Sequence, residues 1–73
     1  MERTMSAAEK IKDYRTKANL SQEQFARLIG ASQGLINHWE QNRQQPSARM
    51  ARTIERRTNG GLKRAELLPD IFD

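Results

Sequence analysis

The sequence contains no cysteine and no valine, and its 73 residues include one histidine, one tryptophan, four glycines and two prolines. Without cysteine, disulfides and thiolate metal sites are excluded, and the lone His38 does not make a zinc site by itself. No apolar run approaches the ~20 residues of a membrane span, and the first residues lack a signal-peptide core. We therefore expect a soluble intracellular protein with a single domain over residues 1–73.

The composition is basic and poor in aromatic residues. Thirteen Lys and Arg against nine Asp and Glu give a net charge of +4, which favours an anionic partner. Apolar residues make up 36% of the chain and aromatic residues 5%, so we expect a small, mostly aliphatic core. A chain of this length buries only ~60% of its unfolded surface, which makes it marginally stable unless a second copy supports it.

Helix signals run along the whole chain. The missing valine and the lack of alternating apolar runs argue against strands, whereas the abundant Ala, Glu, Lys, Arg and Gln favour helices. Serines predict four helix starts, at Ser6 and Ser21 (with Glu9 and Gln24 as capping-box partners), Ser32 and Ser47. We expect the first two helices to end at Asn19 and Gly30. The third is expected to run to about Gln41 and to be followed by Asn42, and the fourth to stop at residues 59–61. A short fifth helix is expected at about residues 63–68.

These signals predict an all-α fold, a compact bundle of about five short helices, with less order at residues 1–5 and 69–73. Apolar residues at helical spacing predict its core. They are Ile11, Tyr14, Ala18, Phe25, Ala26, Leu28, Ile29, Leu35, Ile36, Trp39, Ala48, Ala51 and Ile54.

Two of the predicted helices are separated by only three residues, 30–32. Gly30 is able to take the positive φ of a tight turn, and Ala26 is small where the helices must cross closely. Ile36 and Trp39 anchor the second helix from inside. This spacing predicts a helix-turn-helix over about residues 22–41.

The segment LSQEQFARLIGASQGLINHWEQNRQQPS, preceded by IKDYRTKAN, resembles the Cro/CI-type (XRE) helix-turn-helix repressors. The tail TNGGLKRAELLPDIF resembles the end of YdaS-like members, which are phage Cro-like or antitoxin regulators. Together the resemblances cover about residues 8–73, and Asn42 departs from them where many relatives have glycine. They imply a lambda-repressor-like DNA-binding domain in the cytoplasm of a bacterial cell, phage-encoded and nucleoid-associated when bound.

A helical wheel with Ile36 and Trp39 inward directs a polar face outward. Amide side chains suit base reading, because Gln or Asn bonds adenine bidentately through N6 and N7. The wheel turns outward Gly34, Asn37, His38 and Gln41, with Gln33 on the flank. The resemblance independently implies base contacts from Gln33, Gly34, Leu35, Asn37 and His38. The alternative is that these are ordinary solvated residues of a surface helix.

Phosphate contacts are expected beside that helix. Gln22 opens a helix, where unpaired backbone N–H groups bind anions, and the resemblance makes Arg43 a backbone clamp. The expected phosphate contacts are Gln22, Ser32 (first of all a helix cap), Asn42, Arg43, Lys17 and Arg49, with Arg52 as a further candidate. For Lys17, Arg49 and Arg52 the alternative is a plain solvated charge.

The resemblance also implies a pair between Arg15 and Glu40 beneath the DNA-facing surface, which would support the site together with Ile36 and Trp39. Two unconnected surface charges are the alternative. Trp39, Phe25 and Tyr14 keep helical register with other apolar residues, which predicts core positions rather than base-stacking platforms.

No arrangement of residues predicts an enzyme, a cofactor or a small-molecule ligand. The sequence lacks a Gly-rich phosphate loop and a plausible Ser–His–Asp scaffold, and Asp70 and Asp73 at the chain end suggest no metal site. The leading hypothesis is a sequence-specific repressor of duplex DNA, with the third helix in the major groove. The alternatives are an antitoxin or autoregulator of a two-gene module, and a protein-interaction adaptor that does not bind DNA.

One helix reads only a handful of base pairs, so we expect a homodimer on a palindromic operator with half-sites ~34 Å apart. The short chain, with no separate ligand-binding or oligomerisation domain, favours a Cro-like repressor. An apolar C-terminal cluster provides the dimer contact, covers the domain's own core, or does both. Its members are Leu62, Leu67, Leu68, Ile71 and Phe72.

Overall fold

The computed structural model describes residues 5–72, which form five helices and no strand. The helices are α1 (Ala7–Lys17), α2 (Gln22–Ile29), α3 (Gln33–Glu40), α4 (Ala48–Arg57) and α5 (Arg64–Leu67). The prediction of an all-α bundle of about five short helices is confirmed. Residues 1–4 and 73 lie outside the described part, so the lower order expected at 1–5 and 69–73 stays a prediction.

Serine side chains begin the first four helices. In each case the hydroxyl oxygen accepts from the backbone N–H three residues later, at 3.0–3.2 Å. Ser6 and Ser21 also receive the reciprocal bond from the side chains of Glu9 and Gln24, which completes two capping boxes. Each cap satisfies an otherwise unpaired N–H group and stabilises its helix by about 1 kcal/mol.

Asparagines in the left-handed conformation close three of the helices. Asn19, Asn42 and Asn59 have φ values of 61°, 59° and 52° and follow α1, α3 and α4. After α3, the N–H of Asn42 donates to the Trp39 carbonyl at 3.0 Å and that of Arg43 to the His38 carbonyl at 2.9 Å. This pair of bonds satisfies carbonyls at the helix end and reverses the chain. Asparagine therefore takes the left-handed position that glycine commonly occupies at helix ends.

The core lies where α1, α2, α3 and α4 meet, and the C-terminal segment closes it. Its buried members are Ile11, Phe25, Ala26, Ile29, Ile36, Trp39, Ala51, Ile54, Leu62, Leu67 and Leu68. Tyr14, Leu35 and Ala48 are partly buried against it. Two predicted core residues are wrong: Ala18 is exposed because α1 ends at Lys17, and Leu28 is 37% exposed on the outer edge of α2.

The C-terminal apolar cluster mainly covers the domain's own core. Leu62, Leu67 and Leu68 are buried, and Phe72 packs against the core beneath the guanidinium groups of Arg52 and Arg64. Ile71 is the exception, with 62% of its surface exposed. The expected dimer contact through this cluster stays a prediction, and Ile71 is the member that remains open to a partner.

Gly61 occupies a position with no room for a side chain. A Cβ there would overlap the Tyr14 ring and lie 3.1 Å from the Thr58 carbonyl oxygen. We expect Gly61→Ala to lower the free energy of unfolding by about 1–3 kcal/mol, measured by urea denaturation followed by circular dichroism.

Gly34→Ala is the matched control for Gly61→Ala. Gly34 lies within α3, and a Cβ there would meet no atom within 4 Å. Because glycine disfavours a helix, this substitution is expected to be neutral or to stabilise the fold by up to about 1 kcal/mol. Equal stabilities of the two variants would contradict the close packing at Gly61.

Candidate nucleic-acid interface

The turn between α2 and α3 sets the position of the candidate interface. Gly30 ends α2 with φ 75°, and Ser32 begins α3 two residues later. Ala26 is 3% exposed, which agrees with its predicted place at a close helix crossing. Ile36 and Trp39 are buried on the inner side of α3. The core therefore holds α3 by one face and leaves the other outside.

The outer face of α3 carries the residues predicted to contact bases. Gln33, Gly34 and His38 are exposed, whereas Leu35 and Asn37 are half-buried. The Gln33 and His38 side chains form no hydrogen bond with any described residue, and the space beside Gly34 is open. The structure thus brings polar groups and an unobstructed stretch of helix backbone to one surface, which allows a close approach to another molecule.

An ion pair joins α1 to the end of α3 beside this surface. Arg15 on α1 donates from Nε to Glu40 Oε2 at 2.7 Å and from Nη2 to Oε1 at 3.0 Å. The side chains are 13% and 5% exposed. The remaining guanidinium nitrogen, Nη1, donates to the Leu20 carbonyl at 2.9 Å. Arg15 therefore ties together α1, the residue before the N-cap of α2 and the last residue of α3.

The environment of Arg15 keeps it charged. The hydrogen bond to Glu40 raises the pKa of Arg15, burial acts in the opposite direction, and the carboxylate charge adds to the increase. A guanidinium in this position presents a planar fork that matches the two carboxylate oxygens. The pair that the resemblance implied is present, as a two-point contact rather than as separate surface charges.

The side chain of Gln22 forms hydrogen bonds within the protein, and the predicted phosphate contact of its backbone N–H stays a prediction. Its side-chain nitrogen donates to Glu40 Oε1 at 3.2 Å and lies 3.4 Å from Asn37 Oδ1. Gln41 donates to the same Asn37 oxygen at 3.1 Å. Sequence reasoning missed this network, although the i, i+3 spacing of Asn37 and Glu40 places both on one side of α3. Only the backbone N–H of Gln22, at the start of α2, remains available for an anion.

The predicted phosphate contacts divide into two groups. Arg43 and Arg49 are exposed and pair with no acidic group among residues 5–72, and Asn42 is exposed at the turn between them and α3. Lys17 lies 3.1 Å from Asp13, and Arg52 stacks on Phe72. The Ser32 hydroxyl oxygen caps α3. Arg43 and Arg49 are thus the charged candidates that form neither an ion pair nor a ring contact with another described residue.

The aromatic residues lie inside rather than on the interface. Phe25 and Trp39 are buried, and the half-buried Tyr14 packs against Phe25 with ring centroids 6.1 Å apart. Over residues 5–72, no group of three His, Cys, Asp or Glu residues is placed to hold a metal ion; Asp73 lies outside that range. Nor does any helix in this range have the length and apolar character needed to cross a membrane.

Comparison with known proteins adds one match. A family model described as Helix-turn-helix matches residues 11–67, from α1 to the end of α5. No curated protein and no solved structure matches the chain. The matched range contains α2, the turn and α3 in full.

The buried ion pair gives a stability prediction. We expect Glu40→Ala to lower the free energy of unfolding by about 3 kcal/mol in urea denaturation, because it leaves the Arg15 guanidinium buried without its partner. Glu23→Ala removes a carboxylate that pairs with Arg27 at a similar distance, 2.8 Å, on the exposed side of α2. This control is expected to cost little, since water screens exposed pairs. Similar losses in both variants would refute the special role of Glu40.

Proposed function

The chain belongs to the XRE-type helix-turn-helix family of DNA-binding transcription regulators, and we propose that it is a Cro-like repressor that binds a palindromic operator as a homodimer. The observation that carries this proposal is the outer face of α3, where unbonded polar side chains surround an open glycine. The Arg15–Glu40 pair holds that face from below. Repression follows when the bound protein blocks access of polymerase to the operator.

In the proposed complex α3 enters the major groove. Gln33 has both amide atoms available and therefore suits the N6 and N7 atoms of adenine. His38 offers a ring nitrogen to guanine or phosphate, and Leu35 lies at the edge of the face where a thymine methyl group would contact it. Gly34 allows the helix to approach the groove wall. Asn37 is the fifth proposed base contact.

Arg43 and Arg49 are the proposed phosphate clamps, because both are exposed and carry unneutralised charge within residues 5–72. Gln22 contributes through its backbone N–H at the positive end of α2. Ser32, Asn42 and Lys17 are secondary contacts; Lys17 must exchange Asp13 for phosphate to take part. These contacts fix the register of α3, and the base contacts then select the sequence.

We propose a homodimer because α3, the helix that would read the bases, is short. An eight-residue helix spans only about 12 Å, so one copy reads a short half-site. Two copies related by a two-fold axis would place their α3 helices ~34 Å apart on one side of the duplex. The exposed Ile71 is the proposed centre of the contact between copies. A phage or prophage origin and a YdaS-like tail belong to the same proposal.

Salt dependence tests DNA binding against the adaptor alternative. We expect the logarithm of the binding constant to fall by ~0.9 for each phosphate contact as log salt concentration rises. Fluorescence anisotropy with labelled duplex, from about 50 to about 200 mM salt, measures the slope. An affinity that does not change over this range would exclude the repressor.

Two substitutions separate base reading from phosphate clamping. Gln33→Ala should cost about 1–3 kcal/mol on the operator and relax the preference at one base position per half-site. Arg43→Ala should weaken binding to all duplexes and reduce the salt slope by about 1. Arg57→Ala, an exposed arginine outside the proposed contacts, is the charge-matched control. The same specificity profile for Gln33→Ala and Arg43→Ala would refute this division.

Gly34→Ala tests whether α3 approaches DNA closely, because it should change operator affinity without lowering the stability of the fold. The added methyl group meets nothing in the protein, so the fold keeps or gains stability. In the complex the same methyl group would stand between α3 and the groove wall. We expect operator affinity to fall by about tenfold, measured by anisotropy, while thermal stability does not decrease. Unchanged affinity would show that α3 does not approach DNA along this backbone.

A further inference from the structure

The hydrogen-bond network behind α3 fixes which way the Asn37 amide faces. We propose that Glu40, acting through Gln22, makes Asn37 a pure donor toward the major groove, so that it selects a base with a keto oxygen. These bases are guanine, with O6 and N7, and thymine, with O4. The proposal deepens the function proposed above and rests on it, since it assigns a base preference to one contact of α3.

Glu40 determines the orientation of the Gln22 amide, because an ionised carboxylate only accepts hydrogen bonds. The amide atom of Gln22 that lies 3.2 Å from Glu40 Oε1 must therefore be the nitrogen. Arg15 donates to both oxygens of the same carboxylate, at 2.7 and 3.0 Å, and so holds it in place beside Gln22. The orientation of the Gln22 amide is thus set by a charge that the fold holds in place.

The same Gln22 nitrogen then orients Asn37. It lies 3.4 Å from one amide atom of Asn37, which must be the oxygen to accept from it. Gln41, the residue that directly follows α3, donates to that oxygen at 3.1 Å. Two donors occupy the two lone pairs of Asn37 Oδ1. A reversed Asn37 amide would instead set its own donors against the Gln22 nitrogen, whose orientation Glu40 fixes.

Because the Asn37 oxygen is already bonded, the part of this side chain that is available to another molecule is its NH₂ group. No described residue accepts a hydrogen bond from it, and Asn37 lies one turn beyond the exposed Gln33 on the same side of α3. Bidentate recognition of adenine needs an amide oxygen as well as an amide nitrogen, and here the oxygen is already used. Adenine offers N7 as an acceptor, but its N6 amino group, like the N4 amino group of cytosine, would meet the Asn37 donors in the major groove. Gln33, with both amide atoms unbonded, has no such restriction.

The experiment is selection of bound sequences from a random duplex pool by the wild-type chain and four variants. The Asn37-dependent position is the one whose preference disappears in Asn37→Ala. There we expect the wild type to enrich guanine or thymine over adenine and cytosine by about fivefold or more. Gln22→Ala should reduce this ratio toward one, whereas Gln41→Ala should preserve it, because the bond tied to Glu40 remains.

Asn37→Asp reverses the chemistry of the contact. The carboxylate of this variant only accepts hydrogen bonds, so the enrichment at that position should change from guanine or thymine to adenine or cytosine. The base preference due to Gln33 should stay the same. Overall affinity falls because the new charge faces phosphates, so the base ratio is compared within each variant. Circular dichroism identifies any variant that does not fold; Gln22→Ala and Gln41→Ala decide the outcome if Asn37→Asp fails.

Adenine or cytosine enriched at the Asn37-dependent position, or a ratio unaffected by Gln22→Ala, would overturn the proposal and leave the repressor function intact. No enriched sequence for the wild type would overturn the proposed function and the base assignment with it. Side-chain amide exchange measured by NMR tests the network without DNA. Gln22 amide protons should exchange more slowly than those of Asn37, and the opposite order would refute the orientation.

Discussion

The two-point bond between Arg15 and Glu40 is the interaction on which the arrangement of this domain depends. A carboxylate that is 5% exposed needs donors, and the fold supplies two from Arg15 and one from Gln22. Because these donors come from α1 and α2, burying one charge at the end of α3 fixes three helices relative to each other. The third nitrogen of Arg15, bonded to the Leu20 carbonyl, extends the constraint to the chain that enters α2.

Short helices make this constraint necessary. Helices of eight residues, the length of α2 and α3, are unstable in isolation, so packing and end caps must hold them. The serine caps and the left-handed asparagines satisfy the helix ends locally. Ile36 and Trp39 anchor α3 through apolar contact, which resists separation but does not prevent sliding. The directed bonds to Glu40 supply the rotational and axial precision that apolar packing lacks.

The sequence predicted the helix starts and ends within about one residue, because Ser6, Ser21, Ser32 and Ser47 and the breakers act locally. It placed Leu28 in the core because periodicity alone does not show where a neighbouring helix stops covering an edge. At the interface, spacing and the resemblance indicated which residues of α3 face outward. The Gln22 bonds to Asn37 and Glu40 were not predictable, since they depend on how α2 and α3 are placed in space.

The outer face of α3 thus contains two kinds of position with different evolutionary freedom. The Gln33 and His38 side chains make no hydrogen bonds within residues 5–72, so single substitutions there would change the proposed base contacts at little cost in folding. Asn37 shares its amide with Gln22 and Gln41, and any replacement disturbs groups that also support Glu40. Divergence among related helix-turn-helix regulators should therefore proceed independently at positions 33 and 38, and in concert at 22, 37 and 40.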